Sequence, residues 1–502
     1  MTNHLFDPLF GRHAANDAPF LILEDRTLSY ADFLALSAQM ANAFTKLGIQ
    51  KGDRIAVQTE KSAAALAIYA ACLRAGMILL PLNTAYTTTE LAYFTGDAEP
   101  ALVICDPAKA ENIRAILAPR TQILTLDAQG EGTLTDLAAQ QSVEHAPVAC
   151  GPKDLAAILY TSGTTGRSKG AMLSHDNLLS NGATLAQEWR FSASDVLLHA
   201  LPIFHTHGLF VAVNASAISG AAMLFHAGFR VGDVLRDLPR ATVLMGVPTF
   251  YTRLLAEAEF TRDLVGHMRL FVSGSAPLLA ETHTEFEART GHRILERYGM
   301  TETNMNVSNP YDGERRAGTV GFPLPGVELK ITDPNTCETL PQGAIGMIEV
   351  RGPNVFQGYW RMPEKTAEEL RADGFFITGD LGQIDKDGYV AIVGRQKDLI
   401  ISGGYNIYPK EIEVLLDALE GVVESAVVGV KDADFGEAVI AAVVPVAGAN
   451  LNPEALMEQI RPLIARFKHP RRIFIVNDLP RNTMGKVQKN VLRDLFTAEL
   501  AG

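Results

Sequence analysis

The stretch Leu155-Ala156-Ala157-Ile158-Leu159-Tyr160-Thr161-Ser162-Gly163-Thr164-Thr165-Gly166-Arg167-Ser168-Lys169-Gly170-Ala171-Met172-Leu173 places a glycine- and hydroxyl-rich loop between two short apolar runs. Runs of this length and composition read as buried strands. Between them the glycines let the backbone bend so that several N–H groups converge, the hydroxyls add donors, and Lys169 adds a mobile positive charge. Such a nest suits phosphate oxygens. A flexible Ser/Thr/Gly linker is the bland alternative, but linkers do not usually join two buried apolar segments or end in a lone lysine. The P-loop pattern does not fit either. Gly166 and Lys169 are separated, Gly170 follows the lysine, and a strand-like run comes next where a P-loop would open a helix.

Working outward, Arg54-Ile55-Ala56-Val57, an Ala-rich helix over Ala63 to Arg74 and a strand over Met77 to Leu80 give a β-α-β pattern, repeated in part at Leu102–Cys105 and Ile123-Leu124. This implies layered α/β sheets, largely parallel. A chain of 502 residues exceeds one ordinary core, so two or more domains are expected. The formal charge of −13 (44 basic minus 57 acidic) and the lack of a basic stripe argue against a nucleic-acid partner, so any anionic ligand must be held by local cations. Cys72, Cys105, Cys150 and Cys337 show no metal or redox spacing and read as free thiols of a reducing compartment. Residues 1–16 lack the pattern of a secretory signal. The uncharged stretch from Gly208 to Phe225 contains Asn214, serines and glycine, which reads as a buried helix and strand and not a membrane span. A cytoplasmic protein with no membrane partner is expected.

Several segments carry chemistry. His205 and His207 form a His-x-His pair that is either a pocket wall or a metal site lacking its remaining ligands. Arg253, in Thr249-Phe250-Tyr251-Thr252-Arg253, reads as lying near a helix N-terminus, where a cation opposes the macrodipole unless an anion compensates. Loops rich in glycine and hydroxyls follow strands at Ser273-Gly274-Ser275-Ala276 and at Tyr298-Gly299-Met300-Thr301-Glu302. In doubly wound sheets ligands bind where such loops gather. Asp385-Lys386-Asp387-Gly388 lacks the later ligands of a calcium loop and reads as a hairpin turn. A boundary is placed near Gly394-Arg395-Gln396-Lys397-Asp398. Beyond it the pattern is α+β, with Pro409 opening a helix that Gly421 ends. Lys486, in the turn Pro480 to Lys486, would on its own be a surface residue.

Taken together, five segments in order resemble the adenylate-forming superfamily of acyl-CoA synthetases, adenylation domains and luciferases: Thr161–Gly170, Tyr298–Thr303, Thr378-Gly379-Asp380, Gly394-Arg395-x-Lys397-Asp398 and Gly485-Lys486. The resemblance covers nearly the whole chain. It implies an N-terminal adenylation domain over 1–394 with a small β-rich section, a hinge at 395–397 and a small mobile α+β domain over 398–502. It further implies that a carboxylate attacks ATP to give an acyl-adenylate and pyrophosphate, and that coenzyme A then displaces AMP. Thr161, Ser162, Gly163, Thr164, Thr165 and Lys169 would take the β- and γ-phosphates, and Glu302 would hold Mg²⁺. Tyr298, Gly299, Thr301 and the loop Gly274-Ser275-Ala276 would flank the adenine, and Asp380 and Arg395 the ribose. Lys486 would stabilise the adenylation transition state. Lys397 would be the hinge about which the C-terminal domain turns, bringing Gly403 and Gly404 to the thiol.

Leu82-Asn83-Thr84-Ala85-Tyr86, Phe204–Gly208, Val247–Arg253 and Arg297–Asn306 look like the malonate-activating branch, the malonyl-CoA synthetases. That resemblance implies an acid pocket of His207, Arg253, Ser275 and Met300, with malonate as first substrate and methylmalonate as second. The alternatives are a short-chain monocarboxylate ligase with Arg253 facing solvent, and an adenylation module loading a carrier protein. The turn before Lys486 also resembles sites modified by a lysine acetyltransferase.

Overall fold

The computed structural model describes residues 2–161, 168–402, 405–432, 435–482 and 485–501. Two large sheets make up most of the N-terminal part. The first has six strands in the order Gln122–Thr125, Leu102–Cys105, Arg54–Gln58, Ile78–Pro81, Leu155–Thr161 and Lys169–Ser174, all parallel until the last pair. The second has nine, with a parallel centre of Leu295–Met300, Leu270–Ser273, Val243–Gly246, Val196–His199 and Ala222–Phe225. Helices Tyr30–Lys46, Ala63–Ala75 and His175–Glu188 share one core with both sheets. Ala63–Ala75 is apolar on all sides and correspondingly buried, as an internal layer must be. Ser62 caps its start and Gly76, at φ +70°, closes its end.

The opening loop thus joins two antiparallel strands, with Thr161 opposite Lys169. Ser174 caps the helix that follows, its side chain accepting from the Asn177 N–H while Asn177 reaches back. The stretch read as a buried helix and strand is a π-helix over His207–Val213, an α-helix over Asn214–Ser219 and the strand Ala222–Phe225. Among the described residues no helix is long and apolar enough to cross a membrane.

A third, antiparallel sheet runs Glu328–Thr332, Gly346–Arg351, Phe376–Ile384 and Val390–Arg395. Its last hairpin turns at Asp385-Lys386-Asp387-Gly388, where the Asp385 carboxylate accepts from the Asp387 and Tyr389 N–H groups and Gly388 takes φ +90°. After the single 3₁₀ turn Gln396–Asp398, the chain enters a five-stranded sheet built on Val422–Asp432 and Gly436–Pro445. Strand alternation sends Val427 to a core with Ile412 and Leu416, and Val428 to another with Leu492 and Phe496. The helix opened by Pro409 stops at Asp417, earlier than expected. Gly421, at φ +85°, instead turns the chain into the next strand. The molecule is a large α/β domain followed by a small α+β one.

Candidate active site

Because the central strands of the nine-stranded sheet are parallel, the loops after His199, Gly246 and Ser273 and the end of Leu295–Met300 emerge at one edge. Thr161 ends its strand on the corresponding edge of the other sheet. Two groups of polar residues meet there, and their charges are organised differently.

In the first group every ion has a partner. Asp380 and Arg395 face each other across the hairpin, with Arg395 Nε 2.7 Å from Asp380 Oδ1. The other oxygen of Asp380 accepts from the Tyr298 hydroxyl at 2.6 Å. The Asp380 carboxylate raises the pKa of Arg395 above its ordinary value. Lys169 donates to both oxygens of Glu369 at 3.0 Å and lies 3.1 Å from the Tyr359 hydroxyl. That hydroxyl lies 2.6 Å from Glu369 and 3.0 Å from Glu302. Burial pushes the pKa of Glu302 up. The segment carrying Tyr359 is pinned by its backbone, since Trp360 N–H donates to Gly170 O and Phe356 N–H to Glu302 O.

In the second group positive charge lacks a carboxylate. Arg297 is 3 % exposed, and its Nε and Nη2 have no hydrogen-bond partner among the described residues. Burial pulls its pKa down to about 9, against the opposing pull of Tyr251 and Glu296. The guanidinium lies flat on Gly274, where an added Cβ would come within 2.4 Å of its central carbon. Ser275, next in the loop, is held at φ +73°, a conformation rare for a side-chain-bearing residue. Its hydroxyl is 3.2 Å from His207 Nδ1, while the buried Nε2 of His207 has no partner among the described residues. Burial, then Arg297, holds the His207 pKa well below its ordinary value, so the ring is neutral. His205 is pushed down to about 3 by burial, then by Lys486 and Arg297. The loop holding both histidines is braced from behind. Lys61 donates to His199 Nδ1 at 2.8 Å, and His199 Nε2 donates to Gly208 O at 2.8 Å, at the start of the π-helix.

Lys486 reaches this region from the C-terminal domain. Its turn is closed by Asn482 N–H donating to Lys486 O at 3.0 Å, with Gly485 at φ +74° against Thr249. Lys486 keeps a face open to solvent within the interdomain cleft. Crowding by surrounding protein lowers its pKa, as does Arg395, while Asp380 and Glu302 act in the opposite sense.

The structure therefore places Thr161 opposite Lys169, joins Tyr298, Asp380 and Arg395, and brings Lys486 into electrostatic reach of Arg395, Asp380, Glu302 and Arg297, with Gly274 on Arg297 and Ser275 on His207; Gly299, Met300 and Thr301 follow Tyr298 in the chain, and Ala276 follows Ser275. Ser162, Gly163, Thr164, Thr165, Gly403 and Gly404 lie outside the described residues. Lys397 is exposed on its 3₁₀ turn. Arg253 requires a correction. Its helix is only Pro248–Leu255, so Arg253 sits in the last turn, where the macrodipole favours a cation. It is exposed and makes no ion pair among the described residues. It does share a helix face with Thr249, four residues earlier and beside Gly485. Sequence reasoning assigned no role to Arg297, Tyr359 or Glu369. For Arg297 a signal existed: a charged residue inside the otherwise buried strand run Ile294 to Tyr298 needs a partner or a ligand.

The whole chain is similar to proteins of known structure and name. A solved structure of ATP-bound MatB from Rhodopseudomonas palustris is 57% identical, with 99% of each chain covered and a TM-score of 0.97. The apo form of that protein, at the same identity and coverage, gives 0.87, so the arrangement of this chain lies nearer the ATP-bound one. A malonate–CoA ligase of Arabidopsis thaliana is 34% identical over 91% of this chain and 80% of its own length. A feruloyl-CoA synthase of Amycolatopsis sp is 35% identical over 93% and 94%. Overall identity at this level does not select the acid. The AMP-binding enzyme model matches residues 11–360 and the AMP-binding enzyme C-terminal domain model residues 411–486. The chain belongs to the AMP-binding enzyme family.

Proposed function

We propose that the protein ligates malonate, and with it methylmalonate, to coenzyme A at the expense of ATP. A carboxylate oxygen of the acid attacks the α-phosphorus, pyrophosphate leaves, and the thiol sulfur then attacks the acyl carbon and expels AMP. The observation that carries the choice of acid is Arg297, a buried guanidinium without a carboxylate beside His207 and Ser275. An uncompensated buried charge is destabilising by roughly 3–5 kcal/mol, and a second carboxylate on the substrate supplies the missing charge. A guanidinium offers a planar fork that a carboxylate matches with two hydrogen bonds. Arg253 takes an outer place, on the helix face toward the Lys486 turn, and Met300 completes the wall. One added methyl alters discrimination by only ~1–3 kcal/mol, which admits methylmalonate. The likeness to the plant malonate–CoA ligase, together with that to ATP-bound MatB, supports the same reading.

At the nucleotide end, Asp380 and Arg395 hold the ribose hydroxyls, Tyr298 and Gly274-Ser275-Ala276 flank the adenine with Gly299 and Thr301, and Thr161 and Lys169 face the β- and γ-phosphates. Glu302 offers hard carboxylate oxygens, one of which is not engaged by Tyr359, and so fits Mg²⁺. Magnesium bound there with ATP supplies positive charge to the phosphates. Lys486 stabilises charge between the attacking carboxylate and the α-phosphate. Its departure, by rotation of residues 398–502 about the hinge 395–397 at Lys397, opens the site to the thiol, with Gly403 and Gly404 on the arriving face. Lys486 is open to solvent in its turn and is proposed as the target of a lysine acetyltransferase, because acetylation erases the required charge.

Pyrophosphate release measured over malonate, methylmalonate, acetate and propionate, with and without coenzyme A, tests the reading. Malonate should lead, and thioester should form only with the thiol present. Equal release with acetate or propionate would remove the dicarboxylate assignment, and release without thioester formation would point to a carrier protein.

A further inference from the structure

Lys169 is saturated by its protein neighbours. Its ammonium has three hydrogens and three acceptors: Glu369 Oε1, Glu369 Oε2 and the Tyr359 hydroxyl. It also lies 4.1 Å from the centre of the Tyr359 ring, and both charged side chains are largely screened from solvent, at 18 % and 23 % exposure. A phosphate oxygen can therefore reach this ammonium only by displacing one of these acceptors, and two of the three belong to Glu369. Glu369 would not be left alone, because Lys365 Nζ is 3.0 Å from its Oε1 and remains behind. The Tyr359 hydroxyl has one proton and two carboxylates within reach, Glu369 at 2.6 Å and Glu302 at 3.0 Å. While that proton points to Glu369, Glu302 keeps its lone pairs free.

We propose that Glu369 is the resident counter-ion of Lys169, and that polyphosphate binding is an exchange in which the phosphates replace Glu369 while Lys365 retains it. This rests on the reading of Lys169 as a polyphosphate-binding group. Nucleotide affinity is then lower than the cleft's positive charge alone would give, because the anion site carries its own competing anion. The same pair keeps a largely screened lysine neutralised when no nucleotide is present.

Equilibrium binding of MgATP and of inorganic pyrophosphate by calorimetry, without acid or coenzyme A, tests this on the full chain. Glu369→Gln keeps the shape and removes the charge, and both ligands should bind at least about threefold tighter. Lys169→Met should weaken binding, and adding Glu369→Gln to it should then change nothing. In thermal unfolding, Glu369→Gln should melt below the wild type without ligand and close that gap when MgATP saturates. Unchanged or weaker binding by a folded Glu369→Gln protein overturns the exchange while leaving the role of Lys169 intact. Tightening that persists in the Lys169→Met background overturns it as well. Unchanged binding by Lys169→Met overturns both.

Discussion

The two halves of the cleft hold their positive charge in opposite ways. At the half proposed for the nucleotide, Arg395 faces Asp380 and Lys169 faces Glu369, so each cation is neutralised inside the protein. At the half proposed for the acid, buried Arg297 has no carboxylate within ion-pair distance among the described residues, while Lys486 is exposed. A cation already neutralised by a carboxylate gains less from a further anion, so specificity comes more from shape and hydrogen-bond direction. An unpaired buried cation gains the full interaction when its anion arrives, and it penalises any ligand that fails to bring one. Under the proposed function, a site built this way would hold ATP by geometry and choose its acid by charge.

The largest expected effect lies at the unpaired end. Lys486→Ala should lower adenylation by at least about 10²-fold, since under the proposed function it removes charge used in the transition state. Thioester formation from premade malonyl-adenylate should survive, and equal loss of both half-reactions would place Lys486 elsewhere. Next, Arg297→Met should lower kcat/KM for malonate relative to propionate by about 10²-fold. A ratio within twofold of wild type would end the contrast between the two halves.

Paired residues should respond less. Asp380→Asn should raise KM for ATP about tenfold, because one carboxylate is replaced by a weaker acceptor while Arg395 loses its counter-charge. An equal loss in malonate KM would show that the two halves are not separable.

A smaller effect concerns Glu296, beside Arg297, whose carboxyl burial raises to about 8 from an ordinary 4.5. The folded state then holds a proton that the unfolded chain has released. The stabilising contribution is present below pH 4.5 and is lost as pH rises to about 8, with a slope of at most ~1.4 kcal/mol per pH unit. Glu296→Gln should flatten Tm against pH across that window. An unchanged profile would show that Glu296 is ionised in the fold. Arg253→Ala, at an exposed outer position, should shift the malonate-to-propionate ratio by only about threefold. A loss matching that of Arg297→Met would move Arg253 inward.

Much of the frame was legible because local patterns determine it. Alternating apolar runs located the β-α-β units, and the runs on either side of the glycine loop read as strands where a P-loop would have required a helix. Asp385 to Gly388 carried its own turn chemistry. What could not be read was the reach of individual side chains across long separations. Lys169 and Glu369 are 200 positions apart, and nothing in the helix Pro363–Glu369 distinguishes its last acid from a solvated one. Arg253 was misplaced because the macrodipole reading depends on helix length, and this helix ends two residues after it. Arg297 was visible as a charge within a buried strand, but its lack of a carboxylate is a property of three-dimensional neighbours. The π-helix at His207–Val213 left no mark that distinguishes it from an ordinary buried helix.

Gly274 has a consequence for how such enzymes diversify. An added methyl there would sit 2.4 Å from the central guanidinium carbon, so the group would have to retreat by about 1 Å to restore van der Waals contact. If Arg297 binds the acid as proposed, one hydrogen-to-methyl change at an uncharged position would retune which acids it can reach. Drift among acid substrates within this fold has a route that leaves every ionisable residue in place.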